Sequence, residues 1–355
     1  MLTSRVHRIQ LPREIIVGSG SLNLIGSICN DLGFTERALI IAGEKTFRIA
    51  GRKIKEILQD KGLTVNEHII TSSTPTVEDV ESSEKKIRKL RPQVVFGVGG
   101  GTKIDIAKLS SARQGVPFIS VPTTASHDGI ASPFASLKGL DKPYSVMAQS
   151  PIAVVADTDI IIKAPYRFIA SGCGDALAKF TSTLDWKLAH KRRNEYYAQY
   201  TASIALMSAK HIVEHSHLIK PNSEEGLRVL LEALVSCGIA MGMAGSSKPC
   251  SGSEHLFSHA LDLIAPKPAL HGEQCGVGTI MMAYLHGLDW QLIRDTLRRV
   301  GAPVTADEIG IKPEYIIKAL VKAPKIRPNR YTILSEKPLT HESAKALAKE
   351  TGVIE

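Results

Sequence analysis

Aromatic side chains are scarce in this sequence, because Phe, Trp and Tyr make up only 5% of its 355 residues. The formal net charge of +9 favours an anionic partner, and by itself it leaves nucleic acids, phosphorylated compounds and membrane headgroups open. Its basic clusters are not interleaved with the aromatic residues on which nucleic-acid bases stack. We therefore expect no nucleic-acid partner.

Paired cysteines and long apolar runs are missing as well. The five cysteines are odd in number and include no CxxC pair, which is typical of a reducing compartment. The first twenty residues carry Arg5, Arg8 and Arg13 without an apolar stretch, so we expect no cleaved signal. The most membrane-like segment, residues 230–245, is short and contains Glu232, which predicts a buried core helix. We expect a cytoplasmic protein without membrane insertion.

The pattern of apolar residues changes near residue 160. Before that point β-branched runs alternate with helical periodicity, which predicts a parallel sheet covered by helices. Strands are predicted at 38–42, 65–70, 94–98, 118–121 and 153–156, and helices at 46–60, 77–90 and 104–112. After Pro165 only helical patterns follow, at 169–190, 196–215, 224–245, 252–264 and 272–287. We predict a Rossmann-like α/β domain at residues 1–163 and an all-helical domain at residues 164–355.

Three consecutive glycines, Gly99, Gly100 and Gly101, lie between a predicted strand and a predicted helix. Such a turn lets the backbone approach a phosphate group, whose charge meets free N–H groups and the helix N-terminus. A tight turn alone usually needs one glycine, so the cluster favours a pyrophosphate site. The spacing matches neither GxGxxG nor GxxxxGK[ST], which excludes the two standard fingerprints.

Hydroxyl-bearing residues follow the predicted strand 118–121, at Thr123, Thr124 and Ser126. They lie at the carboxyl edge of the predicted sheet, where open α/β folds bind their ligands. Threonine and serine at a strand end also cap helices or form turns, and both interpretations stay open.

Histidines are concentrated in one helical region, where His255 and His259 share a helix face and His271 precedes the next helix. Two histidines and a carboxylate, with one open position, suit Zn²⁺ or Fe²⁺ acting as a Lewis acid. Five carboxylates compete as the further ligand, and helix capping and core packing remain alternatives: Asp128, Asp175, Glu254, Asp262 and Glu273. We expect Asp175 in the opening of a helix. His211 and His215 form a weaker rival pair.

Several segments of the sequence match a known pattern. GVGGGTKIDIAK at residues 97–108 resembles the GGGSxxDxAK segment of the superfamily of iron-containing alcohol dehydrogenases, glycerol dehydrogenases and dehydroquinate synthases. Five further segments resemble specifically those of the archaeal-type sn-glycerol-1-phosphate dehydrogenases. They are PTTASHDG (122–129), GCGDALAK (172–179), GSEHLFSH (252–259), LHGEQCGVGTIMMAYLHG (270–287) and NRYTIL (329–334). The resemblance covers nearly the whole chain, in order.

This resemblance implies a dehydroquinate synthase-like fold and assigns roles to individual residues. It implies that Asp175, His255 and His271 bind a catalytic Zn²⁺, and that Asp128, Asp175 and His259 form the catalytic substrate site. The residues implied to contact NAD(H) or NADP(H) are Gly99, Gly100, Gly101, Thr102, Lys103, Ile104 and Asp105 at the pyrophosphate, with Thr123, Thr124, Ala125, Ser126 and Ser132.

The implied reaction is the reduction of dihydroxyacetone phosphate to sn-glycerol 1-phosphate, the glycerophosphate backbone of archaeal membrane lipids, by a homo-oligomer. A glycerol dehydrogenase, which needs no phosphate on its substrate, stays open as an alternative. In a dehydroquinate synthase NAD acts only transiently, and Asp175 in place of a glutamate argues against that reading. Glu44 lies beside Lys45 after the strand 38–42, which leaves the choice between NADH and NADPH open.

Overall fold

The structure is a computed structural model that describes residues 9–137 and 144–355. Arg5 and Arg8, on which part of the expectation about a signal rests, lie outside the described residues. The first half of the chain forms a parallel sheet with flanking helices, and the rest is mostly helical.

Six parallel strands form the sheet in the order β1-β8-β5-β4-β2-β3. Their bounds are β1 Glu14–Gly18, β2 Arg37–Ala42, β3 Thr64–Ile69, β4 Val94–Gly99, β5 Phe118–Pro122 and β8 Ala153–Asp157. The central strands β4 and β5 are buried along their whole length, which explains their continuous apolar runs. All five predicted strands are confirmed within one or two residues.

Two features of the sheet region were not predicted. Strand β1 lies at an edge and pairs only with β8. Strands β6 (Phe134–Leu137) and β7 (Tyr144–Met147) form a separate antiparallel pair. Both strands of this pair are four residues long, so they carry little periodicity.

The helices of this half connect the strands. They are α1 Ile25–Asp31, α2 Glu44–Thr46, α3 Arg52–Asp60, α4 Val77–Leu90, α5 Gly101–Arg113 and α6 Thr158–Ile161, with 3₁₀ turns at Ser21–Leu24 and Asp128–Ile130 and a π-helical turn at Phe47–Gly51. Helix α4 begins at a capping box of Thr76 and Asp79 and ends at Arg91, just before Pro92, as predicted.

The helices after β2 and β4 cover opposite faces of the sheet. Ile54 and Leu58 of α3 belong to the core on one face, whereas Ile104 and Ala107 of α5 belong to the core on the other. Strands β2 and β4 are neighbours, so their carboxyl ends mark the point where the connections change faces. Open α/β sheets bind ligands in the crevice at such a switch point.

Ten further helices form the rest of the described chain: α7 Arg167–Leu177, α8 Lys179–Arg193, α9 Gln199–His215, α10 Glu224–Ala244, α11 Ser253–Ile264, α12 His271–His286, α13 Trp290–Arg299, α14 Pro313–Ile326, α15 Ile333–Glu336 and α16 His341–Glu350. No strand lies among the described residues after β8, in agreement with the predicted helical region. The core of the α5 face continues into these helices, through residues such as Leu230 and Phe257. The domain division between residues 163 and 164 stays a prediction.

Helix α10 contains the most apolar stretch of the chain. By length and composition it passes the test for a membrane-crossing helix, but 72% of its most apolar window is buried inside the protein. It packs against α9 and α7, begins at the Ser223 cap and ends at Gly245 in the left-handed conformation. This is the core helix that the sequence predicts.

Candidate active site

Two adjoining cavities lie at the carboxyl edge of the sheet. The larger cavity, of about 700 Å³, is lined by predicted coenzyme contacts: Gly100, Gly101, Thr102, Lys103, Thr123, Thr124 and Ser126. The smaller cavity, of about 210 Å³, is lined by the predicted site residues Asp128, His255, His259 and His271. Gly101, Thr102, His127 and His271 line both cavities, so the glycine turn and the histidines border one cleft.

The glycine turn opens helix α5 towards the larger cavity. Gly99 ends β4 with φ 155°, a conformation that side chains rarely adopt, and Gly100 is the N-cap of α5. Among the described residues no side chain caps this helix end, and while the Lys103 N–H donates to the Gly100 carbonyl at 3.0 Å, the N–H groups of Gly101 and Thr102 can meet a ligand. The side chains of the turn are held from the loop after β3, because the Lys103 ammonium donates to the Ser72 carbonyl and Thr102 Oγ1 donates to the Ser73 carbonyl at 3.1 Å.

The remaining predicted coenzyme contacts do not line the larger cavity. Ile104 and Ala125 are buried in the core, and Ser132 lines the smaller cavity. Asp105 also lines the smaller cavity, where it accepts from Lys108 at 3.2 Å and from the Ser136 N–H at 2.9 Å. Lys108 is fully buried and donates to two further carbonyls, so Asp105 joins α5 to the β6–β7 pair.

His127, which sequence reasoning did not assign, lies where the two cavities meet and lines both of them. Its ring fills a slot between two glycines, since a Cβ at Gly101 would lie 1.8 Å from its Nε2 and a Cβ at Gly129 would lie 2.3 Å from its Cε1. Its Nδ1 accepts from the Gly129 N–H at 2.9 Å, and its ring lies 6.3 Å from that of His271. Of these two glycines only Gly129 is close to His127 in the sequence, whereas Gly101 belongs to the glycine turn before α5.

Asp175 does not open a helix, contrary to our expectation. It lies two residues before the end of α7, where neighbouring backbones pack closely on glycines. A Cβ at Gly172 would lie 2.1 Å from the Ala125 carbonyl oxygen, and one at Gly174 would lie 2.2 Å from the Gly272 carbonyl oxygen. These contacts bring the end of α7 against the loop after β5 and the start of α12, beside His271.

The Asp175 carboxylate is fully buried and held by charged groups. Its Oδ1 lies 2.9 Å from Lys179 Nζ and 3.4 Å from His255 Nε2, and its Oδ2 accepts from the Asp128 N–H at 2.7 Å. Burial acts to raise the pKa of Asp175, but Lys179 and His255 hold it well below its usual value. Asp175 is therefore an ionised carboxylate that is held in one position and can offer an oxygen atom to a metal ion.

Lys179, a second residue that sequence reasoning missed, links Asp175 to Asp128. Its fully buried ammonium lies 2.9 Å from Asp128 Oδ2, and despite burial both carboxylates raise its pKa well above the usual value. Potential metal-ligand atoms of Asp128, Cys237 and Cys250 lie within 4.8 Å of one another. The positive charge beside this group is already the ammonium of Lys179. Burial and the neighbouring Asp175 raise the pKa of Asp128.

His255 and His271 meet face to edge, with ring centroids 5.0 Å apart. His255 Nδ1 lies 2.8 Å from Glu254 Oε1, which leaves Nε2 directed at Asp175. Burial opposes a charged His255, but Cys275, Asp175 and Glu254 hold its pKa well above the usual value. Burial and His255 lower the pKa of His271 to about 3, so this imidazole is neutral.

The tightest group of potential metal ligands at this site contains a cysteine. Donor atoms of His255, His271 and Cys275 all lie within 4.8 Å of one another, whereas Asp175 is not part of that group. Burial raises the pKa of the Cys275 thiol, and a protonated thiol is a poor ligand. The structure thus brings the two predicted histidines together and offers two candidates for the third ligand.

His259 lines the smaller cavity beside the two other histidines, with its ring 6.0 Å from that of His271. Its buried Nδ1 has no hydrogen-bond partner among the residues that the structure describes. Burial and the charge of Arg327 hold its pKa well below the usual value. Apart from histidines, Arg327 is the one cationic residue among the described residues lining this cavity.

The other candidates from the sequence have different surroundings. Glu273 pairs with Arg167 at 2.5 Å and caps α12. Asp262 lines the smaller cavity, and its Oδ1 accepts from Gln274 Nε2 at 3.3 Å. His211 and His215 lie next to each other on α9, with ring centroids 4.4 Å apart and the ring planes tilted by 52°. Within the described part of the chain, no group of three potential ligand atoms includes that pair.

Comparison with known proteins adds the following similarities. The family of iron-containing alcohol dehydrogenases matches residues 16–165. The glycerol-1-phosphate dehydrogenase [NAD(P)+] of Methanothermobacter thermautotrophicus is 53% identical over 98% of this chain and 99% of its own. The protein of the same name from Thermococcus kodakarensis is 51% identical over 99% of each chain.

Solved structures share the fold at lower identity. The crystal structure of glycerol dehydrogenase from Schizosaccharomyces pombe has a TM-score of 0.81 at 21% identity and covers 98% of this chain and 91% of its own. The sulfoacetaldehyde reductase of Bifidobacterium kashiwanohense, solved in complex with NAD+, has a TM-score of 0.73 at 19% identity and covers 99% of this chain and 100% of its own.

Proposed function

Because this chain belongs to the family of glycerol-1-phosphate dehydrogenases, we propose that it reduces dihydroxyacetone phosphate to sn-glycerol 1-phosphate with NAD(P)H and a zinc ion. One observation carries the proposal: the open N-terminus of α5 and the buried histidines border the same cleft. A hydride donor bound at the glycine turn would therefore lie beside a Lewis-acid site.

The larger cavity suits the coenzyme. The N-terminus of α5 and the glycines before it provide the N–H groups and the positive end of the helix dipole that bind a pyrophosphate. Thr123, Thr124 and Ser126 line the same cavity from the end of β5. The His127 and His271 end of the cavity is the place for the reactive ring, because it opens to the smaller cavity.

Asp175, His255 and His271 are the proposed ligands of the zinc ion. The 3.4 Å between Asp175 Oδ1 and His255 Nε2 agrees with the ~3.4 Å between two ligands of one tetrahedral ion whose bonds are ~2.0–2.1 Å long. Glu254 accepts from the opposite nitrogen of His255, the arrangement that fixes metal-binding imidazoles. The ionised carboxylate of Asp175, already at this distance from His255 Nε2, favours Asp175 over Cys275 as third ligand.

A zinc ion bound there supplies Lewis-acid polarisation of the substrate ketone. Lys179 holds the carboxylates of Asp175 and Asp128 in place through ion pairs with both. His259 and Asp128 both line the smaller cavity, and either one, directly or through water, can deliver the proton to the new hydroxyl. His127 lines both cavities, and its ring is held between Gly101 and Gly129 beside the proposed place of the reactive ring.

Arg327 is the proposed contact for the phosphate of the substrate. It lines the smaller cavity beside His259, and a guanidinium binds phosphate oxygens through two parallel hydrogen bonds. Arg330 is half-buried and donates to the Ser251 carbonyl and, at 2.9 Å, to Ser247 Oγ, which supports two residues of the cavity wall. A glycerol dehydrogenase would have no use for this cation.

We also propose that the protein is a cytoplasmic homo-oligomer. Tyr200 and Met207 of α9 are 50% and 59% exposed, an apolar surface suited to a second copy of the chain. Light scattering after size exclusion tests the oligomer. A salt titration in a filter-binding assay tests the expected lack of nucleic-acid binding, because phosphate-backbone binding weakens steeply with salt.

The direct test of the function is a substrate panel. Purified protein is assayed with dihydroxyacetone phosphate and with dihydroxyacetone, with NADH and with NADPH, before and after removal of metal by a chelator. Zinc-dependent reduction of the phosphorylated ketone supports the proposal. Equal rates with the unphosphorylated ketone would move the protein to the glycerol dehydrogenases.

A further inference from the structure

The larger cavity has an unusual distribution of charge for a dinucleotide site. Among the described residues that line it, none is Asp or Glu, whereas three are lysines: Lys45, Lys103 and Lys163. Sites that prefer NAD place a carboxylate against the 2′-hydroxyl of the adenosine ribose, and this carboxylate repels a 2′-phosphate. The lining of this cavity provides no such group.

Lys45 lies where the adenosine ribose is expected. It follows β2, the strand beside β4, and the carboxyl ends of these two strands flank the switch point of the sheet. Thr46 fixes this turn, because its hydroxyl donates to the Val98 carbonyl at 2.9 Å and accepts from the Gly43 N–H at 2.9 Å. Lys45 is thereby held next to the glycine turn, with an exposed side chain.

Glu44 does not counter this charge inside the cavity. It is the first residue of the short helix α2, is exposed, and is not among the lining residues. Its neighbour Lys45 is among them. Of the two adjacent residues that left the coenzyme choice open in the sequence, Lys45 thus lines the cavity and Glu44 does not.

The other two lysines are differently placed. The ammonium of Lys103 donates to the Ser72 carbonyl, and burial lowers its pKa. Lys163 follows α6, on the side of β8, and β5 and β4 separate that strand from β2. Of the three lysines, Lys45 is therefore the one that has an exposed ammonium and lies on the β2 side of the glycine turn, away from the histidines.

We propose that Lys45 binds the 2′-phosphate of NADP(H), so that this protein binds NADPH more tightly than NADH. The inference rests on the proposed placement of the coenzyme in the larger cavity and adds a binding subsite to it. A hydrogen-bonded ion pair with an exposed ammonium corresponds to a preference of about tenfold.

Coenzyme binding, rather than turnover, tests the proposal. Dissociation constants of NADPH and NADH are measured by fluorescence titration of the full-length protein, and 2′,5′-ADP and 5′-AMP serve as competitors that differ in the 2′-phosphate. We expect about tenfold tighter binding of NADPH and of 2′,5′-ADP. In Lys45→Ala this difference disappears while the affinity for NADH is unchanged, and Lys45→Glu favours NADH.

Lys163→Ala is the matched control, because it removes the other exposed lysine of the same cavity and should keep the preference for NADPH. Tighter binding of NADH by the unmodified protein would overturn the proposal. So would a preserved preference in Lys45→Ala, or its loss in Lys163→Ala. Failure to bind either coenzyme would instead contradict the dehydrogenase function itself.

Discussion

Gly101 and His127 fit against each other so closely that a Cβ on Gly101 would lie 1.8 Å from His127 Nε2. One belongs to the first turn of α5 and the other to the loop after β5, and both line the two cavities. Gly101, the third glycine of the turn, therefore leaves space for the His127 ring as well as for the coenzyme.

Gly101→Ala should displace His127 and disturb the cleft. We expect a loss of about 1–3 kcal/mol of stability, typical of overpacking, and weaker coenzyme binding. Gly100→Ala is the control for stability, because among the described residues its Cβ would meet only Thr124 Oγ1, at 3.2 Å. Thermal unfolding and coenzyme titration of both variants measure the difference. Equal stability of the two variants would show that His127 yields without cost.

The sequence predicts those strands and helices that a local pattern defines, and it misses those that depend on contacts between distant segments of the chain. Apolar runs identified five of the six strands of the sheet, and helical periodicity identified α4, α5 and most of the helical region, because both signals are local. Strand β1 was missed because its neighbour β8 lies far away in the chain, and the β6–β7 pair because its strands are short. Neither strand pairing nor edge position is encoded in local periodicity.

The site was predicted only in part for the same reason. His255, His259 and His271 were singled out by their density in the sequence, and they meet in one cavity. His127 and Lys179 lay within quoted motifs without a role, since their partners come from distant segments. Asp175 was expected to open a helix because glycines precede it, but those glycines serve close backbone contacts near the end of α7.

The third metal ligand separates two concrete alternatives. If Asp175 completes the site, Asp175→Asn, His255→Ala and His271→Ala should each lose zinc, because each removes one of three protein ligands. Cys275→Ala and His259→Ala should retain about one zinc per chain. Elemental analysis after dialysis measures the content, and circular dichroism checks folding. Zinc retained in Asp175→Asn but lost in Cys275→Ala would make the cysteine the ligand.

Arg327→Ala should lower kcat/KM for dihydroxyacetone phosphate about 100-fold and leave the slow reduction of dihydroxyacetone unchanged. The reason is the loss of about 3 kcal/mol from charge-assisted hydrogen bonds to the phosphate. Arg327→Lys should recover part of the loss. Arg228→Ala, which removes an exposed arginine on α10, should leave kcat/KM for both ketones unchanged. A parallel fall for both ketones would place the phosphate elsewhere.

The identity and hand of the product test the central claim most directly. Dihydroxyacetone phosphate is reduced to completion with excess NADPH, and the product is offered to a dehydrogenase specific for sn-glycerol 3-phosphate. A coenzyme in the larger cavity and a metal in the smaller one expose a single face of the ketone, with the phosphate at Arg327 setting its orientation. We predict that the product is sn-glycerol 1-phosphate and is left unconsumed. Quantitative consumption by that enzyme would contradict the assignment.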